Sequence, residues 1–265
     1  MDNLIDIGLN LMHSSFRKDR QEIIEEAKKV GVNKFIITGT NVKSSRIACE
    51  YASNYNYKNT LFSTSGVHPH DAKTCNEKTI DTLAKIAENE CVVAIGECGL
   101  DYNRDFSPRD VQRKWFEKQV ELAEILDKPL FLHEREAHED LYNILKKHDN
   151  VAEKCVVHCF TGTSHEAQNY IDLGCYIGVT GWICDMKRGK NLQEAVKVIP
   201  EDKLMIETDA PFLIPKNFDK KPKKNRNEPK YLPHILKTIA HYKDIEDVEK
   251  LALKVSDNTN KFFNI

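Results

Sequence analysis

The 265-residue chain has no CxxC pair, no Gly/Ser-rich linker and no apolar run near the roughly 20 residues that a membrane span requires. Each absence removes a class of protein. The eight cysteines (Cys49, Cys75, Cys91, Cys98, Cys155, Cys159, Cys175, Cys184) are scattered, several inside apolar runs. They read as reduced core residues of a cytoplasmic protein rather than a disulfide framework or zinc knuckle. The opening MDNLIDIG carries acid at once and lacks a basic segment, a long apolar segment and a small-residue cleavage site, so no secretory leader is expected. A strong charge of one sign is missing too. A net charge of -2 gives no global pull toward nucleic acid or acidic lipid, so any polyanion contact must be local. With 40% apolar and 30% charged residues the composition lies far from the disordered regime, and a real core can form.

What is present is a regular alternation. Eight short runs rich in Val, Ile, Leu and Phe read as strands: 4–8, 34–39, 61–67, 92–97, 129–133, 155–158, 175–180 and 204–209. Between them apolar residues recur at helical spacing, as in Ile23, Ile24, Ala27 and Val30, in Leu83, Ile86 and Ala87, and in Trp115, Phe116, Val120, Ala123 and Leu126. Parallel neighbours need crossovers, and helices supply them. Eight units predict closure into an α/β (β/α)8 TIM barrel, one domain over residues 1–265. An open doubly wound sheet is the competing architecture, but it usually has fewer strands, and no GxGxxG follows the first run. A Lys-, Pro- and Asn-rich loop is expected over 216–230 and final helices over about 231–263.

In such a barrel the active site lies where strands end, so polar residues there carry functional weight. Glu97 ends the fourth run, His133 the fifth, His158 the sixth and Glu207-Thr208-Asp209 the eighth. Singly, a strand-end His is more often a hydrogen-bonded structural residue, and a lone Glu a cap. Together, two imidazoles and two carboxylates on one barrel face suit a divalent cation. Alternation puts Glu207 on the face of Asp209 but one layer deeper, as a supporting group. His68, before Pro69, is a candidate for the site or a turn residue; Asp6 and Asn10 are auxiliary candidates. His13, His138, His148, His165, His234 and His241 are expected to be solvated. A bound cation would acidify water, and Asp209 would take the proton or orient the nucleophile, which predicts hydrolysis. Arg135 and the Lys223-Lys224-Asn225-Arg226 run lie where barrels often grip phosphate. Tyr102, Phe106, Phe160, Trp182 and Phe212 follow strand ends and read as loop anchors or base-stacking surfaces. A barrel amidohydrolase or deacylase with the same ligands is the alternative.

The strings DIGLNL, ITGTN, GVHPHD, AIGECGLDYNRDFS, VVHCFTG, YIGVTGWICD, LMIETDAPFLIP and RNEPKYLPHIL resemble the TatD deoxyribonuclease family, in order and along the whole chain. The resemblance implies a TIM-barrel, Mg2+-dependent nuclease that removes nucleotides from the 3′ end of single-stranded DNA and RNA, a cytoplasmic activity linked to DNA repair. Mn2+ and Zn2+ also suit the donors. No membrane and no obligatory protein partner are expected. Position by position, the family's metal-binding glutamate is Glu97, its histidines are His133 and His158, and its acidic residue is Asp209. Glu97 and Asp209 carry the catalysis, with Arg135, His68 and Arg226 on the substrate side. Arg226 and Glu228 match the RNEP segment. The wider family often begins D-x-H-x-H, whereas this stretch reads Asp6-Ile7-Gly8-Leu9-Asn10. Without those histidines, a first metal on Glu97, His133 and His158 is expected to bind more firmly than a second near Asp209.

Overall fold

Eight strands lie in one parallel sheet whose spatial order is their chain order, from β1 (Leu4–Leu9), β2 (Val32–Ile37), β3 (Leu61–Ser65) and β4 (Val92–Asp101) to β5 (Leu130–Arg135), β6 (Cys155–His158), β7 (Tyr176–Val179) and β8 (Leu204–Ile206). The structure is a computed structural model describing residues 1–265 except Lys221, Lys223 and Lys224. The sheet returns to its first strand through a bridge between Leu9 and Ala210. Asp209 donates its backbone N–H to the Gly8 carbonyl (2.9 Å), and Asn10 donates to the Ala210 carbonyl (2.9 Å). The predicted barrel therefore forms. Strand-end polar groups from every side of the sheet face one mouth.

Outside the barrel lie α1 (Arg20–Lys28), α2 (Val42–Ala52), α3 (Thr79–Ala87), α4 (Arg109–Leu126), α5 (His138–Lys146), α6 (Asp149–Ala152), α7 (Ser164–Asp172), α8 (Lys190–Val198), α9 (Leu232–Tyr242) and α10 (Val248–Phe263). Capping boxes at Asn41/Ser44 and Thr163/Glu166 start α2 and α7 by satisfying amides that have no partner in the helix. The apolar faces read from the sequence are buried, except that Trp115 and Leu126 are half-buried and Val30 lies beyond α1 and is 43% exposed. Ile7, Ile36, Ala94, Phe131, Val156 and Met205 fill the barrel interior, with Phe263 packed against them. Each of these side chains larger than alanine contributes about 1.5–3 kcal/mol when removed from water. A larger apolar layer joins strands to helices. No helix among the described residues is long and apolar enough to cross a membrane.

Most strand ends lie within about two residues of the sequence reading, and those of β4 and β8 depart further. β4 runs on to Asp101, past the expected end at Glu97. A register shift between Gly96 and Cys98 against β5 makes Glu97 a bulge residue. Gly96 has φ +138°, and a Cβ there would lie 2.2 Å from the Phe131 carbonyl oxygen, so only glycine fits beside the bulge. β8 stops at Ile206, and Asp209 turns into the left-handed region with φ 53°. Strand alternation therefore does not reach Asp209.

Candidate metal centre

Glu97 sits at the middle of the barrel mouth because the bulge turns it inward, where its own N–H donates to the Gly39 carbonyl (2.7 Å). Three imidazoles close on Glu97 Oε1: His158 Nε2 at 2.8 Å, His133 Nδ1 at 3.0 Å and His68 Nε2 at 3.3 Å. His133 and His158 are register partners on β5 and β6, so sheet pairing alone brings two of them together.

Tautomers separate the three roles. Glu207 accepts from His158 Nδ1 (3.2 Å), so the proton that an ion would displace is the one on His158 Nε2, held against Glu97 at 2.8 Å. Asp101 accepts from His133 Nε2 (3.2 Å) and leaves His133 Nδ1 facing Glu97 likewise. His68 is the reverse case. Its Nδ1 accepts the His70 backbone N–H (3.1 Å), so a neutral His68 carries its proton on Nε2 and donates it to Glu97. His68, Glu97 and His133 have donor atoms close enough to share an ion, and His158 Nε2 faces the same Glu97 oxygen.

A ring of carboxylates surrounds these groups. Asp101 also takes His70 Nε2 at 2.7 Å. Glu207, wholly buried, also accepts the Cys159 N–H. Gly8 makes room for it, since a Cβ at residue 8 would lie 2.1 Å from Glu207 Oε2. Asp209 Oδ1 accepts from Asn10 Nδ2 (2.8 Å). Phe131 stacks under His158 with ring centroids 4.4 Å apart.

The electrostatics follow from this crowding. Burial opposes ionisation of Glu97, but His68, His158 and His133 outweigh it and hold the carboxyl well below the usual range. Burial likewise opposes charge on His133 and His158. Asp101 and Glu97 outweigh it for His133, and Glu207 and Glu97 for His158, so both are raised. Burial lowers His68 to about 4, with Glu97 opposing. Asp209 is pushed up to about 7 by burial, with Glu97 and Glu207 adding to the shift and His158 and Asn10 opposing it. The mouth is short of positive charge. Its donors, imidazoles around one carboxylate with further carboxylates behind, fit a divalent cation.

Glu97, His133 and His158 thus meet as a cluster, and Asp209 stands beside it without a direct contact to Glu97. Arg135 lies at the rim, where it donates to Thr161 Oγ1 (2.8 Å) and lies 5.5 Å from the Trp182 ring centroid. Arg188 covers the same ring at 4.4 Å. Arg226 is engaged elsewhere. It pairs with Asp19 (2.5 Å) and Glu228 (2.9 Å) and also donates to the Ser15 carbonyl, so it ties the loop after β8 to the segment before α1. Lys223 and Lys224 lie outside the described residues, and Asn225 is exposed. Asp6 is buried beneath the mouth, bonded to Thr208 rather than facing it. His138, expected to be solvated, instead packs edge-on against Tyr170 with centroids 4.7 Å apart. Sequence reasoning missed Asp101 and His70. The signal was present in GECGLD and HPH, but a strand that ends at Glu97 leaves Asp101 in the following loop.

The profile of the TatD related DNase family matches residues 5–264. The 3'-5' ssDNA/RNA exonuclease TatD of Escherichia coli K12 is 44% identical over 262 residues, covering 99% of both chains. The protein of the same name from Pectobacterium carotovorum is 42% identical, covering 99% of this chain and 100% of that one. Among solved structures, the Escherichia coli TatD homologue YjjV superposes with a TM-score of 0.89 at 28% identity, over 99% of this chain and 98% of that one. The TatD family hydrolase of Entamoeba histolytica gives 0.88 at 28%, over 98% of each. The chain belongs to the TatD related DNase family.

Proposed function

We propose that the protein is a metal-dependent 3′ to 5′ exonuclease hydrolysing phosphodiester bonds of single-stranded DNA and RNA, a single cytoplasmic barrel domain over residues 1–265 that serves DNA repair. The observation that carries this reading is the pairing of a His/carboxylate centre with an arginine-flanked tryptophan at one barrel mouth. Relatives named as 3'-5' ssDNA/RNA exonucleases over nearly their whole length support it.

Glu97, His133 and His158 are the first metal's ligands, and Mg2+ is the ion, with Mn2+ or Zn2+ able to replace it. Bound there, a divalent cation supplies Lewis acidity and lowers the pKa of water. Asp209, beside these ligands and held by Asn10, takes the proton of the attacking water as general base. His68 fixes Glu97 by donating to it and faces the substrate side. Glu207 and Asp101 hold the ligand imidazoles in the required tautomers. Arg135 grips a phosphate, and Trp182, near both Arg135 and Arg188, offers a ring on which a base stacks. Base stacking is sequence-tolerant, as exonucleolytic digestion requires. Arg226 and Glu228 shape the substrate end by anchoring the loop.

The test compares a single strand and the matching duplex, labelled at the 5′ end, in Mg2+ and in EDTA, beside a panel of simple amides and esters. Stepwise shortening of the single strand from its 3′ end, abolished by EDTA, supports the reading. Turnover of an amide or ester with no phosphodiester cleavage in Mg2+, Mn2+ or Zn2+ replaces it with the amidohydrolase.

A further inference from the structure

At the barrel end opposite the metal centre, α2 and the start of β4 bring two cysteines together. Cys49 lies on the buried face of α2, and Cys91 immediately precedes β4. Their Sγ atoms are 3.8 Å apart. Cys91 Sγ also lies 3.2 Å from the Ser53 hydroxyl and 3.6 Å from the Cys49 carbonyl oxygen. The Cys49 thiol and the Ser53 hydroxyl both lie within hydrogen-bonding distance of Cys91 Sγ. They pull its thiol below the ordinary cysteine value, with burial opposing. A thiolate-prone cysteine beside a second thiol is the arrangement that disulfide exchange needs.

Access is provided as well. Cys91 lines an open cleft of about 850 Å³ together with Lys34, Ser53, Lys58, Asn89 and Glu90, large enough for a peptide-sized thiol compound. The remaining core thiols differ. Cys98, Cys155, Cys175 and Cys184 are wholly buried.

We propose that Cys91 and Cys49 form an exchange site for low-molecular-weight disulfides of the glutathione class, which oxidise the pair to an intramolecular disulfide. The Cys91 thiolate attacks one sulfur of the small disulfide, whose S–S bond breaks and releases one small thiolate. A mixed disulfide remains on Cys91. Cys49 then gives up its proton and attacks Cys91 Sγ, expelling the second small thiolate. Two electrons pass from the protein dithiol to the small disulfide, and the two cysteine protons end on the two released thiols. Closing 3.8 Å to the roughly 2.05 Å of an S–S bond needs side-chain rotation at both cysteines. The product staples α2 to the root of β4 and does not involve the catalytic mouth.

The experiment treats the full-length protein with oxidised glutathione, quenches with acid, alkylates free thiols and maps peptides by mass spectrometry. The expected result is a linked Cys49–Cys91 peptide pair, two alkylatable thiols fewer than in the reduced protein, and a Tm about 5–10 °C higher. Cys49→Ser should stop at a glutathionyl adduct on Cys91, and Cys91→Ser should give no adduct on Cys49. Circular dichroism checks that both near-isosteric variants fold. Full alkylation of every thiol in the treated wild type overturns the proposal. So does oxidation spread over other cysteines, or a Cys49→Ser protein with no adduct at Cys91.

Discussion

Glu207→Gln tests the reasoning about the metal centre with the smallest change of shape. The carboxylate is wholly buried and accepts two hydrogen bonds, one from His158 Nδ1 (3.2 Å) and one from the Cys159 amide. A glutamine has one acceptor oxygen and one NH2 group. Whichever way the amide is turned, one of the two donors faces another donor. Leaving a buried donor unpaired costs about 1–3 kcal/mol. The chain is large enough that this lowers Tm by roughly 2–10 °C. If the amide stays with Cys159, His158 loses the partner that fixes its tautomer, and metal affinity falls about 10- to 100-fold. Calorimetric titration of metal-free protein with Mn2+, beside thermal unfolding followed by circular dichroism, reads both effects. A Kd within twofold of wild type with an unchanged Tm would refute the claim that Glu207 sets the His158 ring.

Trp182→Ala should raise KM for single-stranded oligonucleotides about 5- to 100-fold, the worth of one stacked base, with a smaller change in kcat. An equal change for a mononucleotide ester substrate would assign Trp182 a purely structural role. Titration of the metal-free protein should show one tight ion before any weaker second, whereas two fully occupied metals by anomalous scattering at low metal concentration would contradict the ordering. The metal-free protein should also lose stability as pH rises. His133 and His158 are held above their ordinary value of 6.5, and Asp209 at about 7 against 3.8, so the folded state keeps protons that the unfolded chain has released. Their contribution is complete below the unfolded values and is lost as pH passes the folded ones. Glu97 is shifted the opposite way, but its contribution is already complete above its unfolded value of 4.5. His68, lowered to about 4, opposes Asp209 up to its unfolded value of 6.5, so Tm in EDTA should fall as pH rises above about 6.5, and saturating Mn2+ should flatten the slope because metal replaces the protons.

Much of the site was legible because barrel geometry converts chain position into spatial position. His133 and His158 end adjacent apolar runs, and parallel pairing makes them neighbours whatever the rest of the chain does. Glu97 was found for a reason only partly right. It follows an apolar run, but it reaches the centre through a bulge in a strand that continues, and that continuation delivers Asp101 to His133 and His70. Gly96 and Gly99 look like strand breakers in sequence, whereas their φ of +138° serves the bulge. The place of Asp209 depends on a left-handed turn after β8, which period-2 alternation cannot express. Gly8, read as an empty ligand position, is the space that the Glu207 carboxylate needs. The Arg226 ion pairs and the Cys49–Cys91 contact join residues distant in sequence, and no local pattern announces them.

The central claim is that Glu97 organises a metal centre that performs 3′ to 5′ hydrolysis. It is tested most directly by following a 5′-labelled single strand with wild type and Glu97→Ala across a Mg2+ series, with metal binding measured on the same samples. Wild type should give a ladder shortening from the 3′ end, and a folded Glu97→Ala protein should lose both tight metal binding and cleavage. Cleavage at the wild-type rate by Glu97→Ala would contradict it.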